Sequence, residues 1–521
     1  MERSPNFSQT NEATATVAQR YHYLDALRAF AMLLGIVLHG ALSFFPMPIW
    51  PAQDLHQPAF DVPALLAAFL AQVGLEVPET FSPYEFMLHA IHGFRLPLFF
   101  LVSGFFTAML WRKRGLRQLA KHRTKRILLP LAIFVPVTWI LMIVANMEAF
   151  VVPAGHFGEN KKGAATTPRD EPARQAQQER KPRAKNNPEA AIDIGRSAGM
   201  GDLRALEWHI QAGTDLNQRG ADQSTPVMIA TVFGRVEAPT GLILDYERIR
   251  ETRPQIAETL RENGAEEGHG VGLDLLILMV FFAPVFHHLW FLYYLIWLVA
   301  GFILITWSIG KLKLKALPDR LITSPVCWLW LLPATFLLQL LMKKDFGPAT
   351  ATGVLPWPPI LLYYAVFFFF GALCFERDWF NTKAGKLWPL SFVLAVTPLL
   401  AGLCLVKSQQ NDELLAACSV AYAWLMILGC IGFFRYFFSG ENPRIRYLSD
   451  ASYWLYIMHL SVIMYLQSIV STWNMPSLPK FLIVCVATTI PLLLIYEFGV
   501  RYTFIGTMLN GRRTRTKRVK A

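Results

Sequence analysis

The chain has 521 residues, of which 54% are hydrophobic and 17% charged, whereas a soluble domain carries about 25% charged residues. That balance, with 38 Phe and 15 Trp, excludes an ordinary soluble domain and suits helices facing lipid, where aromatic rings gather at the interfaces. The net charge of +12 does not imply nucleic acid, because Lys and Arg of a membrane protein concentrate in its cytoplasmic loops.

Residues 1–20 are polar and lack a small-residue cleavage site before the first apolar run, so the first helix is expected to act as its own insertion signal. A spanning helix needs roughly 20 apolar residues. Such runs lie near 24–45, 87–111, 127–149, 289–309, 326–342, 358–376, 388–406, 414–437, 451–472 and 479–502. The expected fold class is therefore all-α: a polytopic membrane protein of about ten transmembrane helices. A further apolar stretch, 271–286, ends at Pro284 and is short, which reads as a re-entrant or interfacial segment or as the start of the fourth helix.

Loop charges orient the spans. Arg112, Lys113, Arg114, Arg117, Lys121, Arg123, Lys125 and Arg126 follow the second run with no acid among them, which marks a cytoplasmic segment. Strict alternation then places the basic segments 310–325, 377–387 and 435–448 and the tail 511–521 on the same side. Ten spans with both termini cytoplasmic fit this pattern. An eleventh at 271–286 would invert every later loop. The expected organisation is a membrane body at 1–149 and 271–510, an outer (periplasmic) insert at 150–270, and a basic cytoplasmic tail at 511–521.

Within the insert, 157–190 has the composition of a disordered linker. Residues 195–268 resemble an ankyrin module. A helical stretch leads to Ala212-Gly213-x-Asp215-Leu216-Asn217, Thr225-Pro226 opens the next helix, and Asn263-Gly264-Ala265 closes a later one. The two Gly turns are too far apart for the usual 33-residue period, so the expectation is a small helical, ankyrin-like insert or a looser helical one. Either suits a protein-binding or packing role.

The six cysteines, Cys327, Cys374, Cys404, Cys418, Cys430 and Cys485, all lie in apolar segments without metal-ligand spacing. They read as free thiols, and no metal ligand is assigned.

The first helix carries Asp25, Arg28 and His39. Ionisable side chains within a membrane span suggest function by default. Arg28 and His39 are close to three helical turns apart, so they share one face, separated by roughly 16 Å along the axis. Asp25 sits one turn before Arg28 and can pair with it. Each has a plainer reading alone, with Arg28 snorkelling to one interface and His39 meeting headgroups at the other. The shared face favours a joint role.

On these residues the chain resembles the acyltransferase-3 superfamily of membrane O-acyltransferases. Arg28-x10-His39 is similar to that family's first-helix signature, and Arg123-x-x-Arg126 to its second motif. Phe99, Phe100, Ser103, Gly104 and Phe105 resemble its Phe-rich helix. His288-Leu-Trp290 and Ser452-Tyr-x-x-Tyr456-x-x-His459 also resemble family segments. The resemblance covers the membrane body and excludes the insert. The lengths and the HGFR segment lean toward the succinyltransferases of the glucan biosynthesis protein C type.

The resemblance implies transfer of a short acyl group, acetyl or succinyl, from cytoplasmic acyl-CoA to a hydroxyl of a cell-envelope glycan in a bacterial inner membrane. Acyl-CoA is then a donor substrate, and no permanently bound cofactor is expected. His39 is the sensible general base, since an imidazole can take the proton of an attacking sugar hydroxyl. Arg28, Arg123 and Arg126 suit the phosphates of coenzyme A. His89, His92, Arg95, His288, Trp290, Tyr456 and His459 are the candidate substrate-binding residues. Three other classes compete: a transporter, although no repeat relates the two halves, a haem or metal protein using His89, His92, His287 and His288, and a receptor or sensor that binds a partner through the ankyrin-like insert.

Overall fold

The computed structural model describes residues 21–45, 81–151, 203–217, 225–231, 246–265, 285–313, 317–342, 345–350, 353–408 and 411–513, with a few isolated positions at 52–80 and at 194 and 198. The expected linker 157–190 and nearly all of 271–286 lie outside these residues. The described chain is helical apart from one short antiparallel pairing of Phe60–Asp61 with Thr80–Phe81.

The longer helices, in chain order, are α1 (His22–Ala41), α2 (Pro83–Arg123) and α3 (Leu129–Val151). In the insert come α4 (Leu203–Gln211), α5 (Pro226–Thr231) and α6 (Tyr246–Glu262). The membrane body resumes with α7 (Trp290–Leu312), α8 (Trp328–Leu340), α9 (Pro358–Cys374) and α10 (Trp388–Ser408). It ends with α11 (Asp412–Phe437), α12 (Pro443–Val470), α13 (Ser477–Ile495) and the short α14 (Phe504–Asn510). Eight helical stretches among the described residues are long and apolar enough to cross a membrane. One of them, Pro83–Val144, contains two of the ten apolar runs of the sequence, and a further run forms the shorter apolar helix Pro325–Leu340. The protein is an all-α polytopic membrane protein.

Local chemistry sets the helix ends. Ser82 caps α2 by accepting from the Glu85 N–H, and Pro83 occupies the first turn, where its missing N–H costs nothing. Asn442 and Pro443 open α12 in the same way. The basic stretch between the second and third runs is itself helical and is broken at Gly115, whose φ of +75° is open to glycine without strain. There the chain doubles back. Arg123 Nη2 donates to Thr107 Oγ1 at 2.7 Å across 16 residues, a separation that would be roughly 24 Å along a straight helix.

One apolar core joins the membrane helices, with α1 packed along α12 and α2, and α2 packed along α9. The α2–α9 crossing is built on two glycines. A Cβ on Gly104 would fall on the Phe368 carbonyl, and one on Gly371 would fall on the Leu101 carbonyl. Small residues let membrane helices approach this closely. Large apolar side chains such as Ile140, Val393 and Leu482 remain exposed on the outside of the bundle, as a lipid-facing surface requires.

The described part of the insert has its own small core, made by Ile194, Ala198, Leu206, Val227, Ala230, Ile256, Ala257, Leu260 and Ala265. Gly213 and Gly264 end α4 and α6 with positive φ, and the following N–H groups bond back from Thr214 to His209 and from Ala265 to Leu260. These are the hydrogen bonds of a glycine-terminated helix. They account for the Gly turns seen in the sequence without requiring an ankyrin stack. All six cysteines are free, with Cys485 half-buried and the others buried.

Gly104→Leu is expected to force α2 and α9 apart. Overpacking costs about 1–3 kcal/mol in a well-packed core, and here the obstacle is backbone. The thermal unfolding midpoint of the detergent-solubilised protein should fall by several degrees; an unchanged midpoint would mean the crossing is not tight.

Candidate active site

Helices α1 and α12 run parallel and in register. Arg28 Nη2 donates to Ser449 Oγ at 3.2 Å, and eleven residues on, His39 Nδ1 lies 2.9 Å from His459 Nε2. Beyond that, Gln467 Nε2 donates to the carbonyls of His39 (3.1 Å) and Gly40 (3.0 Å). Those carbonyls belong to the last turn of α1, where the His39 carbonyl also accepts the N–H of Leu42. The shared face of Arg28 and His39 is thus the face that meets α12.

The hydrogen bonds around His459 determine the protonation of both rings. His459 is fully buried, and its Nδ1 lies 2.7 Å from the Tyr456 carbonyl and 3.1 Å from the Leu455 carbonyl. A carbonyl only accepts, so Nδ1 of His459 carries the hydrogen. In the neutral ring Nε2 is then an acceptor, and His39 Nδ1 must donate to it. His39 keeps its lone pair on Nε2. Since His39 is half-buried while its partner is sealed, the free nitrogen belongs to the more accessible ring.

His288 packs against this pair, its ring 5.1 Å from His459 and 6.4 Å from His39. Its Nε2 donates to the Ile457 carbonyl at 3.0 Å, which leaves Nδ1 buried and without a partner among the described residues. Tyr456 donates to the His288 carbonyl at 2.5 Å and so ties this short helical turn to α12. Trp290 is buried against Tyr294 and Tyr364, with ring centroids 5.2 and 5.6 Å away. Arg95 on α2 reaches the same place: a point one Cβ bond above Gly35 lies 2.6 Å from Arg95 Nη1 and 3.5 Å from His459 Nε2.

His89 and His92 are placed elsewhere. They lie on the α2 face toward segment 345–350, where His92 Nε2 is 2.7 Å from the Pro348 carbonyl and the His89 ring is 6.3 Å from Phe346. The His287 ring is tilted against Trp139, at 4.2 Å between centroids. Glu497 is paired with Arg501 at 2.7 Å. Among the described residues no group of three His, Cys, Asp or Glu is placed to hold a metal ion.

The basic cluster lies at the opposite end of α1. Arg28 pairs with Asp25 at 3.8 Å and lies over the Phe106 ring. Arg123 donates to Thr107, has an unpartnered Nε, and lies within electrostatic reach of Arg28. Arg126 Nη1 donates to the Leu509 carbonyl at 3.0 Å, and the Tyr453 hydroxyl donates to the Arg126 carbonyl at 2.8 Å. Asp450 of α12 is held by Arg513 at 2.6 Å. The result is a concentration of guanidinium groups with too few carboxylates to neutralise them.

A family model described as an acyltransferase domain matches residues 21–170 and 251–497, most of the chain. The chain belongs to the acyltransferase-3 family. Both ends of α1 that the geometry singles out fall within the matched stretches, whereas 171–250, the larger part of the insert, falls between them. Over 119 residues this acyltransferase-3 protein is 31% identical to the glucans biosynthesis protein C of Escherichia coli (strain SMS-3-5 / SECEC), covering 23% of this chain and 25% of that protein. The proteins of the same name from Escherichia coli O1:K1 / APEC and O9:H4 (strain HS) are 30% identical over the same length and shares. The matched stretch thus spans about a quarter of these relatives. No solved structure matches the chain.

Sequence reading did not find Gly35, Thr107, Ser449, Gln467 or Tyr364. A glycine or serine in an apolar helix carries no signal of its own until the partner helix is known.

Proposed function

We propose that the protein transfers a short acyl group, acetyl or succinyl, from acyl-CoA to a hydroxyl of a cell-envelope glycan, in a bacterial inner membrane with both termini cytoplasmic and the insert periplasmic. Family membership supports acyl transfer, and the name of the partial relatives favours a glucan acceptor. The observation that carries the mechanism is the His39–His459 bond, which leaves Nε2 of His39 unprotonated and more accessible than its partner.

In this reading His39 Nε2 takes the proton of the acceptor hydroxyl as its oxygen attacks the thioester carbonyl carbon. The carbonyl electron pair moves onto oxygen. When the tetrahedral adduct collapses, the C–S bond breaks, and the proton passes from His39 to the departing thiolate. His459 is a positioning residue. It holds the useful tautomer and accepts the hydrogen bond of the imidazolium that forms, the task an orienting carboxylate performs in a serine-type triad.

Arg28, Arg123 and Arg126 bind the phosphates of the donor, since guanidinium groups match phosphate oxygens in pairs. Coenzyme A carries its thioester at the end of a long pantetheine arm. A donor held by its phosphates at the arginines and lying along α1 brings its thioester to His39, roughly 16 Å away. The membrane is then bridged by the donor rather than by a relay of acyl groups. His288, Trp290 and Tyr456 line the acceptor side of the base, and His89 and His92 face the outer segment through which a glycan approaches. The insert lies outside the family body and suits a protein partner.

Removing the base should cost about 10²–10⁴ in turnover. Purified His39→Ala protein, correctly inserted, is therefore expected to release almost no CoA from acyl-CoA in the presence of glucan; wild-type turnover would remove the base assignment. His459→Ala should lower kcat by roughly 10²-fold, through loss of the tautomer lock, while the donor KM stays within about threefold. A change in KM alone would make His459 a donor-binding group instead. Arg123→Ala should raise the donor KM by about tenfold, the loss of one charge-assisted hydrogen bond, with kcat little altered. An unchanged KM would count against the phosphate role.

A further inference from the structure

Arg95 is a buried guanidinium with no counter-charge among the described residues. It is 9% exposed and lies among α1, α2 and α12 in the middle of the bundle. A buried Arg is ordinarily ion-paired or satisfied through its five N–H groups. Arg95 has no acidic partner among the described residues, and its Nε hydrogen has no acceptor there. Among the described residues, the carboxylates that pair in the body are committed to other cations: Asp25 to Arg28, Asp54 to Lys480, Glu85 to Lys407, Asp319 to Arg377, Glu376 to Arg112, Glu441 to Arg446, Asp450 to Arg513 and Glu497 to Arg501. Its surroundings are the phenols of Tyr456 and Tyr364 and the imidazoles of His39, His288 and His459. None of these supplies a negative charge in its ordinary form.

The fold makes room for this cation with a glycine. Gly35 lies one turn before His39 on α1, and any Cβ there would sit 2.6 Å from Arg95 Nη1 and 3.8 Å from its Cζ. The glycine is therefore the floor on which the guanidinium rests. The same point is 3.5 Å from His459 Nε2, the nitrogen that receives the hydrogen of His39. The charge is thus at the level of the base.

We infer that Arg95 is a catalytic residue that stabilises the oxyanion of the tetrahedral adduct. The inference rests on the acyl-transfer reading above. When the acceptor oxygen bonds to the thioester carbon and its proton goes to His39 Nε2, the carbonyl π pair becomes a full negative charge on an oxygen one bond beyond the attacked carbon. A fixed cation beside the base meets that oxygen. In a dry site such a charge acts without reorganising at the moment of reaction. A carboxylate at the far end of a dicarboxylic acyl group would lie further from the base by the length of the acyl chain, so the position of Arg95 favours the oxyanion.

The test uses the full-length protein in nanodiscs, with acetyl-CoA or succinyl-CoA as donor, β-glucan oligosaccharides as acceptor, and CoA release as the readout. Arg95→Gln is expected to lower kcat by roughly 100-fold or more with both donors, while the KM for each donor changes less than about threefold. Arg95→Lys keeps a charge but loses the planar fork, and should fall between. Gly35→Ala displaces the guanidinium without removing it and should lower kcat with the same unaltered KM. It provides the answer if the Arg95 variants do not fold. Wild-type kcat in Arg95→Gln, or in Gly35→Ala where that variant stands alone, would overturn the inference. So would a loss confined to succinyl-CoA and expressed in KM, which would make Arg95 a carboxylate clamp. If the wild type is active and His39→Ala is not, the acyl-transfer reading stands whatever Arg95 does; a wild type that releases no CoA from either donor removes both.

Discussion

The hydrogen bond from His39 to His459 is the constraint on which the rest of the site depends. It joins two helices that are 420 residues apart in sequence, and its direction is dictated by carbonyls that can only accept. Because His459 spends its Nδ1 hydrogen on its own helix, it can only receive from His39. The unprotonated nitrogen of His39 is thus a consequence of helix geometry on α12, one turn of which supplies both carbonyls.

Holding that bond requires α1 and α12 to keep register along their length. Arg28–Ser449 pins one end and Gln467 pins the other, by donating to the His39 and Gly40 carbonyls in the last turn of α1. Tyr456 ties the His288 turn to the same helix, and Tyr453 ties the Arg126 turn to it. Helix α12 therefore organises both the imidazole group and the basic group, which stand at opposite ends of α1. Beyond Ser43 and Phe44, the buried Asp54–Lys480 pair (2.8 Å, both side chains fully covered) fastens the segment that follows α1 to the start of α13. A buried pair of this kind is costly to break from one side, so the C-terminal end of α1 is also held in place.

Much of this was legible in the sequence, and the reason is the bilayer. Apolar runs of spanning length have few options besides helices, so the helical body follows from hydropathy alone. The three-turn spacing of Arg28 and His39 picked out the face of α1 that meets α12, because helix geometry is local. The partners of that face were hidden, since Ser449, His459 and Gln467 are chosen by packing between segments far apart in the chain. His459 could be flagged as an ionisable residue inside a span, but not as the ring that orients His39. Arg95 could be flagged with His89 and His92. Yet the Arg95 guanidinium reaches the His39–His459 pair, whereas the His89 and His92 rings meet segment 345–350. The Gly turns of the insert were visible because positive φ has a residue signature, whereas the way its helices assemble depends on contacts no local pattern encodes.

The tautomer of His39 tests the account most directly. In protein labelled with 15N histidine and reconstituted in lipid, the His39 signals can be assigned by their disappearance in His39→Ala, and each ring nitrogen then reports whether it is protonated. The structure requires a protonated Nδ1 and a bare Nε2 on His39, with Nδ1 protonated on His459. A protonated Nε2 on neutral His39 would contradict the hydrogen-bond chain, and with it the assignment of His39 as the base.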